Sequence, residues 1–138
     1  MVDAERLART LARVREHVRQ IRRTASGHDL TADETALAAV KYGFVTAIEG
    51  CARAASHLIS SEGLGVPDSN AAAVRLLAEH GIVPAPVAEA VARATGFRNI
   101  LVHEYTAVDD DAVRRNVALL DDLDAYVEAL AGWASRHA

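Results

Sequence analysis

Leu7, Leu11, Val14, Val18 and Ile21 recur at spacings of 4, 3, 4 and 3 residues, which lays one apolar stripe along an α-helix. Arginines fill the other faces of that helix. The same spacing could seat a coiled coil, but it lasts only two to three heptads, so packing in a bundle is expected. Ser26-Gly27-His28-Asp29 breaks the pattern. Thr31-Ala32-Asp33-Glu34 then reads as a capping box, with the Thr31 hydroxyl at the N-cap and the Glu34 carboxylate three residues on. The helix it opens is predicted to reach about Ser60 and to bury Val40, Phe44, Ile48, Cys51, Ala55 and Leu58. Gly63, Gly65 and Pro67 mark a loop. Ser69 is placed to cap a short helix through His80, with Gly81 as its stop. Pro84 and Pro86 suit only the first turn of the next helix, since proline lacks the amide hydrogen needed further in. That helix is predicted to run to about Tyr105 with Gly96 inside it. Asp109–Asp111 favour another helix start by complementing the helix dipole. The last helix turns Val113, Val117, Leu120, Val127 and Leu130 inward. The pattern is all-α: a bundle of four long helices and one short one, with no convincing strand and no internal repeat.

Composition agrees with this reading. The chain has 138 residues, enough for one domain with a real core, so residues 1–138 are expected to form a single domain. Alanine is abundant and aromatics are scarce, which favours close-packed helices. Cys51 is the only cysteine, so no internal disulfide is possible. The start carries acids and no apolar signal region, and no uncharged run is long enough to span a bilayer. A cytoplasmic location is therefore expected, with no membrane contact.

Net charge is −4, which argues against a general nucleic-acid coat protein. The charge is nevertheless uneven. Residues 1–23 hold seven arginines against Asp3, Glu5 and Glu16, and residues 104–128 hold eight acids against Arg114 and Arg115. Each run could be no more than a solvated helix face. The basic one could also touch RNA phosphate, and the acidic one a basic partner.

The stretch that carries chemistry is Gly96-Phe97-Arg98-Asn99-Ile100-Leu101-Val102-His103-Glu104-Tyr105. At about 100° per residue, Tyr105 lies only about 20° from Arg98, and His103 about 40° from Asn99. The four polar groups share one broad side of a helix. Arg98 and His103 are about 140° apart, so one helix holds them loosely, and a second copy across a two-fold axis would complete a cleft. An imidazole titrates near neutrality and can move a proton to or from a ribose oxygen. A guanidinium can grip a phosphate in bidentate fashion and stabilise developing charge. Such chemistry needs no metal. The same four residue types also occur on bundle helices as structural hydrogen-bonding groups, and residue types alone leave both readings open. His57 could face the same cleft or serve as a core or capping histidine. Glu49 and Arg53, four apart, suit a helix ion pair. No paired Glu-x-x-His motif, phosphate-cradling glycine loop or nucleophile elbow is present, so neither a metal nor a cofactor is expected.

Arginine, a polar residue, three further residues, histidine, any residue and tyrosine form the signature of the HepT-like toxins, and residues 98–105 resemble it without departure. Those toxins belong to the HEPN ribonucleases, small helical bundles that usually act as homodimers. The surrounding chain is similar from about residue 35 to 125, through the second helix ending Ala55-Ser56-His57-Leu58-Ile59, then Gly63-Leu64-Gly65-Val66-Pro67 and Gly81-Ile82. The resemblance implies an endoribonuclease toxin with Arg98 and His103 as its catalytic residues and Asn99 in support. It implies a homodimer with the site at its interface. It also implies a MntA-like nucleotidyltransferase antitoxin that silences the toxin by AMPylation of Tyr105. The alternative is a non-catalytic helical module that partners a nucleotidyltransferase.

Overall fold

In the computed structural model of the chain, the described residues are 3–103 and 118–137, with 100–103 described in their backbone only. Among them the chain forms five helices and no strand: α1 (Ala4–Gly27), α2 (Glu34–Glu62), α3 (Asn70–Glu79), α4 (Ala85–His103) and α5 (Leu119–Arg136). Four are long and α3 is short, as the periodicity predicts. The expected helix start at Asp109–Asp111, and the inward Val113 and Val117, lie outside the described residues.

The stripe on α1 is buried in full, from Leu7 to Ile21, and so is the predicted face of α2. Leu120, Val127 and Leu130 of α5 are buried too, joined by Leu123 and Tyr126. The helix ends follow local chemistry. Asp3 accepts from the Arg6 amide at 3.0 Å and caps α1. Ser69 accepts from the Ala72 amide at 3.1 Å and caps α3. Gly63 ends α2 with a left-handed φ of 63°, which glycine adopts without the Cβ clash, and its amide donates back to Ile59.

One cap corrects the sequence expectation. α2 is capped by Asp33, whose carboxylate accepts from the Ala36 amide at 3.0 Å; Thr31 does not cap it. Thr31 belongs to the preceding turn, where its amide donates to Asp29 at 2.9 Å. Aspartate at 29 organises the turn by an Asx-type bond, and the helix starts at the next aspartate along. The Ala36 amide holds the Asp33 carboxyl below the usual carboxylate range.

α2 is the central element and packs against α1, α3, α4 and α5. Its approach to α1 depends on two glycines seven residues apart. A Cβ on Gly43 would lie 2.6 Å from Ile21 Cγ1, and one on Gly50 would lie 2.5 Å from Val14 Cγ2. Both distances are too short for real atoms, so these positions require hydrogen. The pairing of 43 with 21 and of 50 with 14 also shows that α1 and α2 run antiparallel. α5 is tied to α2 through a buried polar contact, in which the Tyr126 hydroxyl donates to the Cys51 carbonyl at 2.9 Å. Cys51 itself is fully buried, and burial pushes its thiol up to about 12. Near the C-terminus Trp133 stacks on His137 with ring centroids 4.1 Å apart.

Candidate functional site

Arg98 sits on α4 at the seam with α2, where the rings of Phe97 and Phe44 meet edge to face at 5.9 Å. That aromatic contact anchors the α4 backbone and fixes where the arginine side chain departs. The Arg98 side chain is 23% exposed. Its Nη2 forms an ion pair with Oε1 of Glu49 on α2, and its Nη1 donates to Oδ1 of Asn99 at 3.0 Å. Its Nε–H is buried and has no partner among the described residues. A guanidinium carries five N–H donors, so two contacts leave most of its donor capacity unused.

Two of the four sequence-predicted residues are therefore together: Arg98, and Asn99 bonded to it. His103 is the last described residue of α4, and its side chain lies outside the described residues. Tyr105 lies outside them altogether. Arg98 lies five residues before His103 within α4, so the backbone carries both toward the same end of that helix. His57 is half-buried on α2, and its Nε2 has no partner among the described residues.

Glu49 is the site residue that sequence reasoning misplaced. Its spacing predicts an ion pair with Arg53 on the same helix, but the carboxylate reaches across to Arg98 instead. The partially buried guanidinium offers a less solvated, stronger partner than an exposed arginine one turn away. The available signal was its setting, a single acid between the core residue Ile48 and the close-contact Gly50.

The arginines of α1 separate into two groups. Arg22 reaches α5, where its Nη2 meets Asp121 at 2.7 Å and its Nη1 pairs with Asp124. The hydrogen bond that Arg22 donates to Asp124 raises the Arg22 pKa. Arg19 and Arg23 both pair with Glu16 on their own helix. Arg6 and Arg13 lie on the α2 side. Neither has an ion-pair partner among the described residues, and the same holds for Arg53 of α2. Among the described residues no group of three or more His, Cys, Asp or Glu side chains is close enough to hold a metal ion. None of the described helices is long and apolar enough to cross a membrane.

The family model described as Ribonuclease HepT-like matches residues 11–130. A Shewanella oneidensis relative named mRNA nuclease HepT is 29% identical over 83 residues, covering 59% of this chain and 62% of the relative. The chain spans about three-fifths of the length of the curated relatives it matches. Among solved structures, the tri-AMPylated Shewanella oneidensis HEPN toxin in complex with MNT antitoxin superposes with a TM-score of 0.85 at 24% identity, covering 96% of this chain and 99% of that one. The cytosolic protein YutE from Bacillus subtilis superposes with a TM-score of 0.87 at 18% identity, covering 99% of this chain and 93% of that one. These likenesses establish an all-α HEPN fold.

Proposed function

The chain belongs to the HepT-like ribonuclease family, and from that membership we propose that it is the toxin of a toxin–antitoxin pair, a metal-independent endoribonuclease acting as one domain over residues 1–138. Arg98 and His103 are its catalytic pair and Asn99 supports them. The observation that carries this reading is the Arg98 guanidinium: held at a helix seam, part exposed, with a buried Nε–H that lacks a partner among the described residues. The exposed part of the guanidinium has N–H donors beyond those given to Glu49 and Asn99, and a phosphate oxygen is a fitting acceptor for them.

In the proposed reaction the His103 imidazole removes the proton of a ribose 2′-hydroxyl. The 2′-oxygen attacks the adjacent phosphorus, and the bond from phosphorus to the 5′-oxygen breaks. A proton is returned to that leaving oxygen. The products are a 2′,3′-cyclic phosphate and a free 5′-hydroxyl. Arg98 stabilises the negative charge that builds on the phosphoryl oxygens, and Asn99 steers the guanidinium. The active form is a homodimer whose interface brings two such sets into one cleft.

Regulation follows the solved neighbour, whose toxin is tri-AMPylated and bound to an MNT antitoxin. In this chain the acceptor is Tyr105. A MntA-like nucleotidyltransferase antitoxin joins the phenolic oxygen to the α-phosphorus of ATP, and pyrophosphate leaves. The bulky anionic adduct then blocks the cleft and repels RNA phosphate.

The Glu49–Arg98 ion pair favours a second reading, a non-catalytic module partnering a nucleotidyltransferase, because it already neutralises the guanidinium. One assay separates the two. Labelled RNA is incubated with the purified chain in EDTA, beside His103→Ala. Cleavage with a cyclic-phosphate end, lost in the variant, supports the nuclease. Undiminished cleavage by His103→Ala, or none by the parent chain, defeats it. Tyr105 is tested by mass spectrometry after ATP and the transferase are added, and AMP mass on another residue would refute that assignment.

A further inference from the structure

We propose that the groove between α1 and α2 is the track for single-stranded RNA, holding the phosphate backbone on unpaired arginines and a base on Tyr42. The proposal rests on the nuclease reading, and adds where the substrate lies.

Two helical stripes form the groove. On α1, Arg6, Thr10, Arg13 and His17 recur at 4, 3 and 4 residues, with Arg9 beside them. On α2, Tyr42, Thr46, Glu49 and Arg53 recur at 4, 3 and 4. Antiparallel packing over Gly43 and Gly50 sets these stripes as two walls along one seam. The cavity holding Arg13, His17, Tyr42, Glu49 and Arg53 has a volume of about 230 Å³. It continues past Arg13 and Arg53 into a second cavity of about 280 Å³ that adds Arg6 and Arg9. From residue 6 to residue 17 the helical rise is about 16 Å, room for several nucleotides.

The electrostatics are one-sided. Among the described residues the only acid lining either cavity is Glu49, and it is paired with Arg98. Arg9 pairs with Glu5, which lies outside the lining, while Arg6, Arg13 and Arg53 have no ion-pair partner among the described residues. Three or four cations thus face one concave seam on a chain of net charge −4. Self-repulsion among unneutralised arginines is relieved by an anionic polymer. Tyr42 is 68% exposed, one of only two large hydrophobic side chains so exposed among the described residues. An exposed aromatic beside a cationic groove is the combination that binds single strands, since any base can stack on its face. Glu49 links the groove to Arg98, so a strand on the arginines is delivered to the proposed catalytic guanidinium.

The test uses the full chain carrying His103→Ala, so that RNA is not consumed, with a fluorescein-labelled single-stranded RNA of twelve nucleotides followed by anisotropy across a salt series. Arg13→Glu with Arg53→Glu should weaken binding at least tenfold. The slope of log K against log salt should fall by about 1.4, the amount for two lost single-strand phosphate contacts. Tyr42→Ala should weaken binding about tenfold with an unchanged slope. Arg22→Ala, on the opposite flank, should leave both unchanged. Equal affinity for the parent and the double variant overturns the proposal. So does a double variant whose only change in sedimentation is loss of a dimer, because the groove is then a subunit interface. The nuclease reading fails separately, if the His103-containing chain leaves RNA intact while the groove still binds it.

Discussion

The two flanks of α1 treat the same residue type in opposite ways. Toward α5, Arg22 is held by Asp121 and Asp124, and Arg15, Arg19 and Arg22 line a cavity they share with Asp124 and Glu128. Toward α2, Arg6, Arg9 and Arg13 line a cavity with Arg53 and, among the described residues, no carboxylate. The first flank uses Arg22 as a latch between two helices, gripping carboxylates 99 and 102 residues further along the chain. The second pairs Arg9 with Glu5 but leaves Arg6, Arg13 and Arg53 without an ion-pair partner among the described residues. A run of arginine on one helix is thus two features, and only the facing helix tells them apart.

The two flanks should differ most at the site that the open flank adjoins. Arg98→Ala should lower RNA cleavage about 100-fold or more, as loss of a transition-state donor does, while Arg22→Ala stays within about twofold. Equal losses in initial rate would mean that both arginines are structural. The next largest effect probes what keeps the open flank narrow. Gly50→Ala places a methyl against the stiff, buried Val14, and should destabilise the fold by about 1–2 kcal/mol in urea melts, after the gain in helix propensity is allowed for. A neutral result would mean that α1 yields at little cost.

Arg22→Ala should be smaller, about 0.5–1 kcal/mol, because the guanidinium and its partners are well exposed. The difference from the parent chain should shrink in 1 M salt, and a difference that survives salt would point to lost packing. The smallest effect belongs to Asp33, in the turn that joins the two walls of the groove. Its folded pKa is lowered, so its contribution is fully present above the unfolded value near 3.8 and is lost as pH falls through the folded value. Urea midpoints taken from pH 5 down to pH 2 should fall less in Asp33→Asn than in the parent, and parallel curves would exclude it.

The helices were legible because burial imposes the 3.6-residue period directly on side-chain chemistry. The stripes at Leu7–Ile21 and Val40–Leu58 are the same positions in sequence and in space. Three things were not legible. The α2 cap was read two residues early, because Asp29 and Thr31 offer the same hydrogen-bonding groups as a true cap. Gly43 and Gly50 escaped notice, since a hydropathy pattern scores glycine as neutral and cannot register a helix that must come close. Glu49 was assigned to Arg53, because spacing along one helix says nothing of a better partner on another. At the candidate site, Arg98 and Asn99 were legible from the motif, while the division of the α1 arginines depended on Asp121 and Asp124, about a hundred residues away.

The position of Cys51 has a practical corollary. It is the only thiol in the chain, it is sealed in the core, and burial lifts its pKa to about 12. At neutral pH it is chemically mute while the helices stay together, because thiolate is the reactive form. A thiol-reactive dye added to the native protein therefore keeps time on how often the bundle opens, with no label engineered in.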